Sequence, residues 1–175
     1  PALKSIQCKN RVDDSDMKRI TKLYEDAGIS TYVEIILCLP DETVESFKQG
    51  LCKILELGEH NYAGMYVLAA LRNTPFGDKN YIKKHGIKTK RILAPIARWV
   101  EPPDKIHEEI DLVIEHNKLT TPEWIEMYLF SWLISACHQM GFTQYISRFL
   151  REHCTIEYEK FYKKLFSYAF DNPSS

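Results

Sequence analysis

Hydrophobic residues recur first with helical and then with strand-like spacing along the opening part of the chain. Residues 15–27 carry apolar side chains three or four positions apart, and Gly28 follows as a helix stop. Residues 31–39 are almost continuously apolar and end at Pro40, which is typical of a strand buried on both faces of a parallel sheet. A second helical stripe covers 44–55 and a second buried strand 62–71. The order helix, strand, helix, strand predicts a right-handed βαβ unit in an α/β fold.

The pattern changes after residue 76, where charge blocks replace apolar runs. Residues 79–100 hold seven basic residues and no acidic one, whereas 101–126 hold eight acidic residues and two lysines. We expect a short helix near 81–84 that ends at Gly86, a break at Pro102-Pro103, and a strand around 108–115. This part is predicted to be a connecting segment over 77–120.

The last third of the chain is predicted to be helical. Thr121, Pro122 and Glu123 form a strong helix start, and the following helix should run to Gly141. Because it is apolar on nearly all sides from 124 to 140, we expect it to be buried on most sides. Two further helices should begin at Thr143 and Thr155. The domain prediction is therefore an α/β unit at 1–76, a connecting segment at 77–120, a helical subdomain at 121–170 and a disordered tail at 171–175.

Composition narrows the class of protein. The 175 residues are 45% hydrophobic and carry a net charge of −1, so the chain can bury a core and is not a generally basic nucleic-acid binder. No uncharged apolar run approaches the roughly 18 residues of a membrane helix, so no membrane contact is expected. The cysteines are scattered and lack a Cys-x-x-Cys motif, which favours a reducing, cytoplasmic compartment. A zinc site at Cys137-His138 with His153-Cys154 matches no usual ligand spacing.

Residues 34–47 resemble the fifth strand and following helix of radical S-adenosylmethionine (radical SAM) enzymes, usually E-L-I-x-G-L-P-G-E-T-x-E-S-F. The segment 3–11 resembles the end of that family's fourth strand, 28–32 its G-I-x-T-Y lead-in, and 66–75 its sixth strand with an L-x-x-T-P exit loop. Phe130-Ser131-Trp132, with His138, Gly141 and Tyr145, resembles the C-terminal helical region of members that carry a cobalamin-binding domain. The resemblance implies a partial (β/α) barrel followed by a mostly helical extension.

Two departures from the family pattern change what the resemblance implies. Cys38 and Asp41 stand where the family usually has glycine. The C-x-x-x-C-x-x-C motif that holds the [4Fe–4S] cluster is missing from this sequence, which by resemblance starts near the end of the fourth strand. We therefore expect the [4Fe–4S] cluster, S-adenosylmethionine and possibly cobalamin in a full-length protein. This chain alone should bind none of them and be catalytically inactive.

The resemblance also suggests cofactor-binding residues. Ile36 matches the position that packs against adenine, and the backbone near Asn73 and Thr74 matches the segment that hydrogen-bonds it. A side chain at Cys38 would narrow the space at the strand end. Glu34 could touch the ligand or pair with a cation from the missing half of the barrel. The alternatives are that Ile36 is a core residue, Thr74-Pro75 a simple turn and Glu34 a solvated carboxylate.

Other residues leave alternatives open. His138 could be a ligand or an acid–base group, although such a histidine more often donates to a carbonyl. The basic stretch 79–98, with Tyr81 and the adjoining Trp99, could bind nucleic acid, but a solvated face or pairing with the acidic stretch 101–126 is favoured. The apolar helix at 124–140 is interpreted first as part of the core and second as a surface for a partner.

The sequence thus predicts a fragment of a radical SAM enzyme that transfers methyl groups or catalyses a related reaction. The alternative is a non-enzymatic interaction module, in which the charge blocks and the aromatic C-terminal helices dock a partner. An exposed sheet edge would be covered by the missing N-terminal half of the barrel or by a second copy in a homodimer.

Overall fold

The computed structural model describes residues 12–94 and 108–171. It begins with two helices and two strands in alternation: α1 (Asp14–Asp26), β1 (Tyr32–Leu37), α2 (Val44–Glu56) and β2 (Tyr62–Val67). A 3-10 turn (Pro75–Gly77), α3 (Lys79–His85), β3 (Lys88–Leu93) and β4 (Glu109–Glu115) follow. The chain ends with α4 (Thr121–Ile134), a π-helical turn (Ser135–Gln139), α5 (Gln144–Cys154) and α6 (Tyr158–Asp171). The fold is mixed α/β and mostly helical.

The predicted βαβ unit is present. Strands β1 and β2 pair in parallel, in a register that runs from Tyr32 opposite Tyr62 to Leu37 opposite Val67. Helix α2 connects them and begins with a capping box, in which Thr43 and Ser46 each accept a hydrogen bond from the other's backbone. The periodicity of the sequence was therefore sufficient to predict this unit.

The charge blocks pair with each other. Strand β4 confirms the strand expected around 108–115, and it pairs antiparallel with β3, which the sequence did not reveal. Arg91 of β3 bonds Asp111 of β4 at 3.0 Å, and Lys88 pairs with Glu115. Cross-strand ion pairing thus accounts for two basic residues of the 79–98 stretch. Trp99 lies outside the described residues, as do Pro102-Pro103, the segment 3–11 and residues 172–175.

Backbone hydrogen bonds join the two small sheets. The amide of Leu68 donates to the carbonyl of Leu37 at 3.0 Å, so the chain continues beside β1 for one residue beyond β2. Val113 then donates to Leu68, and Ala70 to Asp111, each at 2.8 Å. Strand β4 is thereby held next to the C-terminal end of β2, where the loops of interest begin.

The C-terminal helices depart from the prediction in two ways. Helix α4 begins as expected, but a π-helical turn replaces its last turns before Gly141, where φ is +87°. The helix is buried or half-buried on most sides, as expected, but one stripe is left uncovered. Ile125, Tyr128 and Trp132 are exposed, and Trp132 keeps 66% of its surface accessible.

The core lies between the β1–β2 sheet and helices α2, α4 and α6. Large side chains that are fully enclosed include Leu37, Phe130, Met127, Ile134 and Tyr162. One cation is built into this core: Lys48 pairs with Glu126 at 2.5 Å and lies over the rings of Phe130 and Phe166. Within the described part of the chain, no helix is long and apolar enough to cross a membrane.

Candidate functional site: the open face of the parallel sheet

One face of the β1–β2 sheet is uncovered. Side chains alternate along a strand, so Val33, Ile35 and Leu37 face the helices while Tyr32, Glu34 and Ile36 face away. Their partners on the same face are Tyr62, Gly64 and Tyr66. Ile36 is 44% exposed and Tyr66 is 52% exposed. We call these six residues the open face.

The ring of Tyr66, Gly64 and the carboxylate of Glu34 form the middle of the open face. A Cβ placed on Gly64 would come within 2.9 Å of Cε2 of Tyr66, so the tyrosine ring lies over the glycine and would have to move to admit a larger residue. Glu34 lies directly opposite Gly64 in the register. Its carboxylate makes no hydrogen bond or ion pair with any residue that the structure describes. The face therefore offers an apolar surface and a carboxylate that has no partner among the described residues.

The turn after β1 adopts the backbone conformation that glycine favours. Cys38 and Asp41, which replace the glycines of the family pattern, both have φ of +67°. Cys38 is fully buried, and burial together with the nearby Glu42 raises the pKa of its thiol. It therefore packs behind the sheet as a small apolar residue. Asp41 lies 3.6 Å from Nζ of Lys118.

Glu42 is a half-buried carboxyl at the same turn. Burial raises its pKa to about 7, against one lowering hydrogen bond with the backbone of Leu39. Its Oε2 has no hydrogen-bond partner among the described residues. The group is thus close to half-protonated at neutral pH, behind the strand end.

The loop after β2 is a tight turn. Both the amide and the hydroxyl of Thr74 donate to the carbonyl of Leu71, at 3.0 and 2.7 Å. A Cβ on Gly77 would collide with that same carbonyl, so the loop requires glycine there. Asn73 is exposed. Because β1 and β2 are parallel, this loop and the Cys38–Glu42 turn leave the sheet at the same edge.

Of the residues predicted to bind a cofactor, the structure brings Glu34 and Ile36 together on the open face. The interpretation of Ile36 as a core residue is wrong, because nearly half of its surface is accessible. Asn73 and Thr74 lie beyond the strand ends, and no hydrogen bond within the described ranges ties them to the open face. Cys38 lies behind it.

A buried polar network is the feature that sequence reasoning missed. His138 is fully buried, with its Nε2 3.1 Å from Nδ1 of His60 and its Nδ1 2.6 Å from the hydroxyl of Tyr162. That hydroxyl also bonds Oγ of Ser147 at 3.1 Å. Chiefly through burial, the pKa of His60 falls to about 4 and that of His138 to about 3, so both rings are uncharged at pH 7. The two histidines are far apart in sequence, and no local pattern marks His60.

The histidines and cysteines do not form a metal centre within 12–94 and 108–171. No group of three His, Cys, Asp or Glu side chains there could hold a metal ion, and this includes the pairs Cys137-His138 and His153-Cys154.

No protein-family model matches the chain. A cobalamin-dependent radical SAM methyltransferase, TokK of Streptomyces tokunonensis, is 32% identical over 99% of this chain. A 2-(S-pantetheinyl)-carbapenam-3-carboxylate methyltransferase of Streptantibioticus cattleyicolor is 31% identical over the same share. The chain corresponds to the C-terminal part of a cobalamin-dependent radical SAM enzyme. It spans about a quarter of the length of these two relatives, 25% in each case. The predicted resemblance of this chain to the C-terminal part of cobalamin-type radical SAM enzymes is thereby confirmed.

Proposed function

We propose that this chain is part of an S-adenosylmethionine-dependent radical methyltransferase and that its open face forms one wall of the S-adenosylmethionine site. The observation that supports this most directly is the position of Ile36, accessible beside Tyr66 on a flat apolar surface next to the strand ends. A planar adenine ring fits such a surface. The match to methyltransferases over nearly the whole chain points the same way.

The residues of this chain would bind and orient the cofactor. Ile36 and Tyr66 would pack against the adenine ring, the backbone near Asn73 and Thr74 would hydrogen-bond it, and Glu34 would accept a hydrogen bond from the bound molecule. Reductive cleavage of S-adenosylmethionine is the chemistry of an iron–sulfur cluster, whose ligands would come from another part of the enzyme. By the same reasoning cobalamin would be held elsewhere, and this chain alone would be inactive.

The partner in this proposal is the remainder of the enzyme. The open face and the exposed apolar residues of α1, Leu23 and Tyr24, would line a (β/α) barrel that the rest of the polypeptide completes. A second copy of the chain is the other way to cover the free edge of β1. The described cysteines are all unpaired by disulfides, in keeping with a cytoplasmic enzyme.

The test is S-adenosylmethionine binding by the protein expressed from its complete gene, reconstituted with its cluster and followed by isothermal titration calorimetry. Replacing Ile36 with Ala should weaken binding about tenfold, because burying an isoleucine side chain is worth about 1.5–3 kcal/mol. The matched control is Ile125→Ala, which truncates an equally exposed isoleucine on α4. Equal affinity of the Ile36 variant and the wild type would contradict the proposal.

A further inference from the structure

A polar cleft opens at the N-terminal ends of β1 and β2, the opposite end of the strands from the turn at Cys38 and the loop at Asn73. Its volume is about 230 Å³. The end of α1, the loops that precede the two strands and one side of α5 form its walls. The side chains that matter below are Glu25, Ser30, Thr31, His60, Asn61 and Arg148.

The cleft contains one acidic and one basic side chain that are not committed to each other. Neither the carboxylate of Glu25 nor the guanidinium of Arg148 makes a hydrogen bond or an ion pair within the part of the chain that the structure describes. The next arginine on α5 differs: Arg151 bonds Glu56 at 2.6 Å. Two opposite charges thus face the same small volume, and each is available to a ligand.

The buried network reaches the cleft through His60. The hydroxyl of Tyr162 contacts Oγ of Ser147 at 3.1 Å, Oγ1 of Thr143 at 3.2 Å and Nδ1 of His138 at 2.6 Å. Its single hydrogen can be donated to any one of these atoms, so the network is compatible with either tautomer of His138.

Either tautomer can be passed on to His60. Nε2 of His138 lies 3.1 Å from Nδ1 of His60, and either nitrogen can be the donor. His60 is uncharged at pH 7, since burial lowers its pKa to about 4. His60 lines the cleft, where it is a polar group that adds no charge to those of Glu25 and Arg148.

We propose that this cleft binds a small zwitterion, with its ammonium group on Glu25 and its carboxylate on Arg148, as a free α-amino acid would bind. An anion or a cation alone would engage only one of these two charges. The amide of Asn61 and the hydroxyls of Ser30 and Thr31 can supply further hydrogen bonds. The volume equals that of about eight liquid waters, which is enough for a small amino acid.

The experiment compares three probes with the complete protein at low ionic strength, by calorimetry. L-Serine carries both charges, ethanolamine lacks the carboxylate and L-lactate lacks the ammonium group. Serine should bind saturably, and the two partial probes should bind at least about tenfold more weakly, because each loses a charge-assisted hydrogen bond. Glu25→Gln and Arg148→Gln should each weaken serine binding by at least a similar factor.

Lys164→Gln is the control, because it removes one charge from an exposed position on α6 outside the cleft lining. It should bind serine with wild-type affinity. Lactate binding as tightly as serine would mean an anion site and overturn the proposal, as would the absence of saturable serine binding. Wild-type affinity in both the Glu25 and Arg148 variants would place the serine elsewhere and overturn it too. The proposal does not depend on the S-adenosylmethionine site, which is proposed on the open face toward the other end of the strands.

Discussion

Apolar groups usually lie inside a protein and polar groups outside. The open face and the buried polar network around His138 both depart from this arrangement. On the open face, Ile36 and Tyr66 expose apolar surface, and Glu34 has no partner among the described residues. In the network, His138 and Tyr162 bury polar atoms completely, and each atom has a partner. The first arrangement leaves apolar surface in water; the second removes polar groups from it.

The difference shows which parts of this chain stabilise its fold. Buried polar groups contribute only when all their hydrogen bonds are made, so the network specifies how α5, α6 and the π-helical turn pack. The open face contributes little to the stability of the chain. Its apolar area gains free energy only when something else covers it, as a ligand or the rest of an enzyme would. Substitutions in the network should therefore change stability, and substitutions on the open face should change binding.

Replacing His138 with Ala should have the largest effect on stability. The change opens a cavity at a fully buried position and leaves His60 and Tyr162 without their partner, so we expect the free energy of unfolding to fall by about 3–5 kcal/mol. Urea denaturation measures it. The control His153→Ala, at an exposed position on α5, should change stability by less than about 0.5 kcal/mol. A loss below about 1 kcal/mol for His138→Ala would show that the network is not a stabilising unit.

The second-largest expected effect is that acid lowers the stability that the buried network contributes. Both histidines have folded-state pKa values below the unfolded value of 6.5, so the unfolded chain takes up protons first as the pH falls. The stability that they contribute is complete above pH 6.5 and is lost as the pH falls toward about 4. One histidine accounts for about 1.4 kcal/mol per pH unit in that window. A second proton on the adjacent ring is disfavoured by the first.

Protonation of Glu42 changes stability in the opposite direction to protonation of the histidines, so the two contributions must be measured separately. Its pKa is raised to about 7, so the folded chain holds a proton that the unfolded chain releases, and stability rises as the pH falls from 7 toward 4.5. The histidine contribution is therefore the difference between wild type and His60→Asn, measured by urea denaturation from pH 7 to 5. The variant should lose stability with acid less steeply. Parallel curves for the two proteins would contradict the prediction.

The sequence was sufficient for most of the elements and insufficient for the long-range contacts. Hydrophobic period predicted α1, β1, α2, β2 and β4, because each carries apolar residues at a regular spacing. Strand β3 was missed, since Lys88, Lys90 and Arg91 give it no apolar face. The π-helical turn has no sequence signal, and the contacts of its His138 are made with residues far along the chain, His60 and Tyr162.

The candidate site was predictable only in part for the same reason. Glu34 and Ile36 are two residues apart in one strand, so the alternation of side chains puts them on one face whatever the rest of the fold does. The burial of Cys38 depends on a turn with positive φ, and the shape around Gly64 depends on the ring of Tyr66. His60 became a candidate only when its distance to His138 was known.

The smallest expected effects come from two substitutions that each alter only a few atoms. One lies in the buried network and the other on the open face. Tyr162→Phe removes one hydroxyl from the network and leaves His138 and Ser147 short of a partner, which should cost about 1–2 kcal/mol. Glu34→Gln preserves the shape of an exposed side chain that has no partner in the described structure, so stability should change by less than about 0.5 kcal/mol. Thermal and urea unfolding of both variants give the comparison. A loss above about 1 kcal/mol for Glu34→Gln would mean that its carboxylate is engaged within the fold, and the open face would then be a structural surface instead of a binding one.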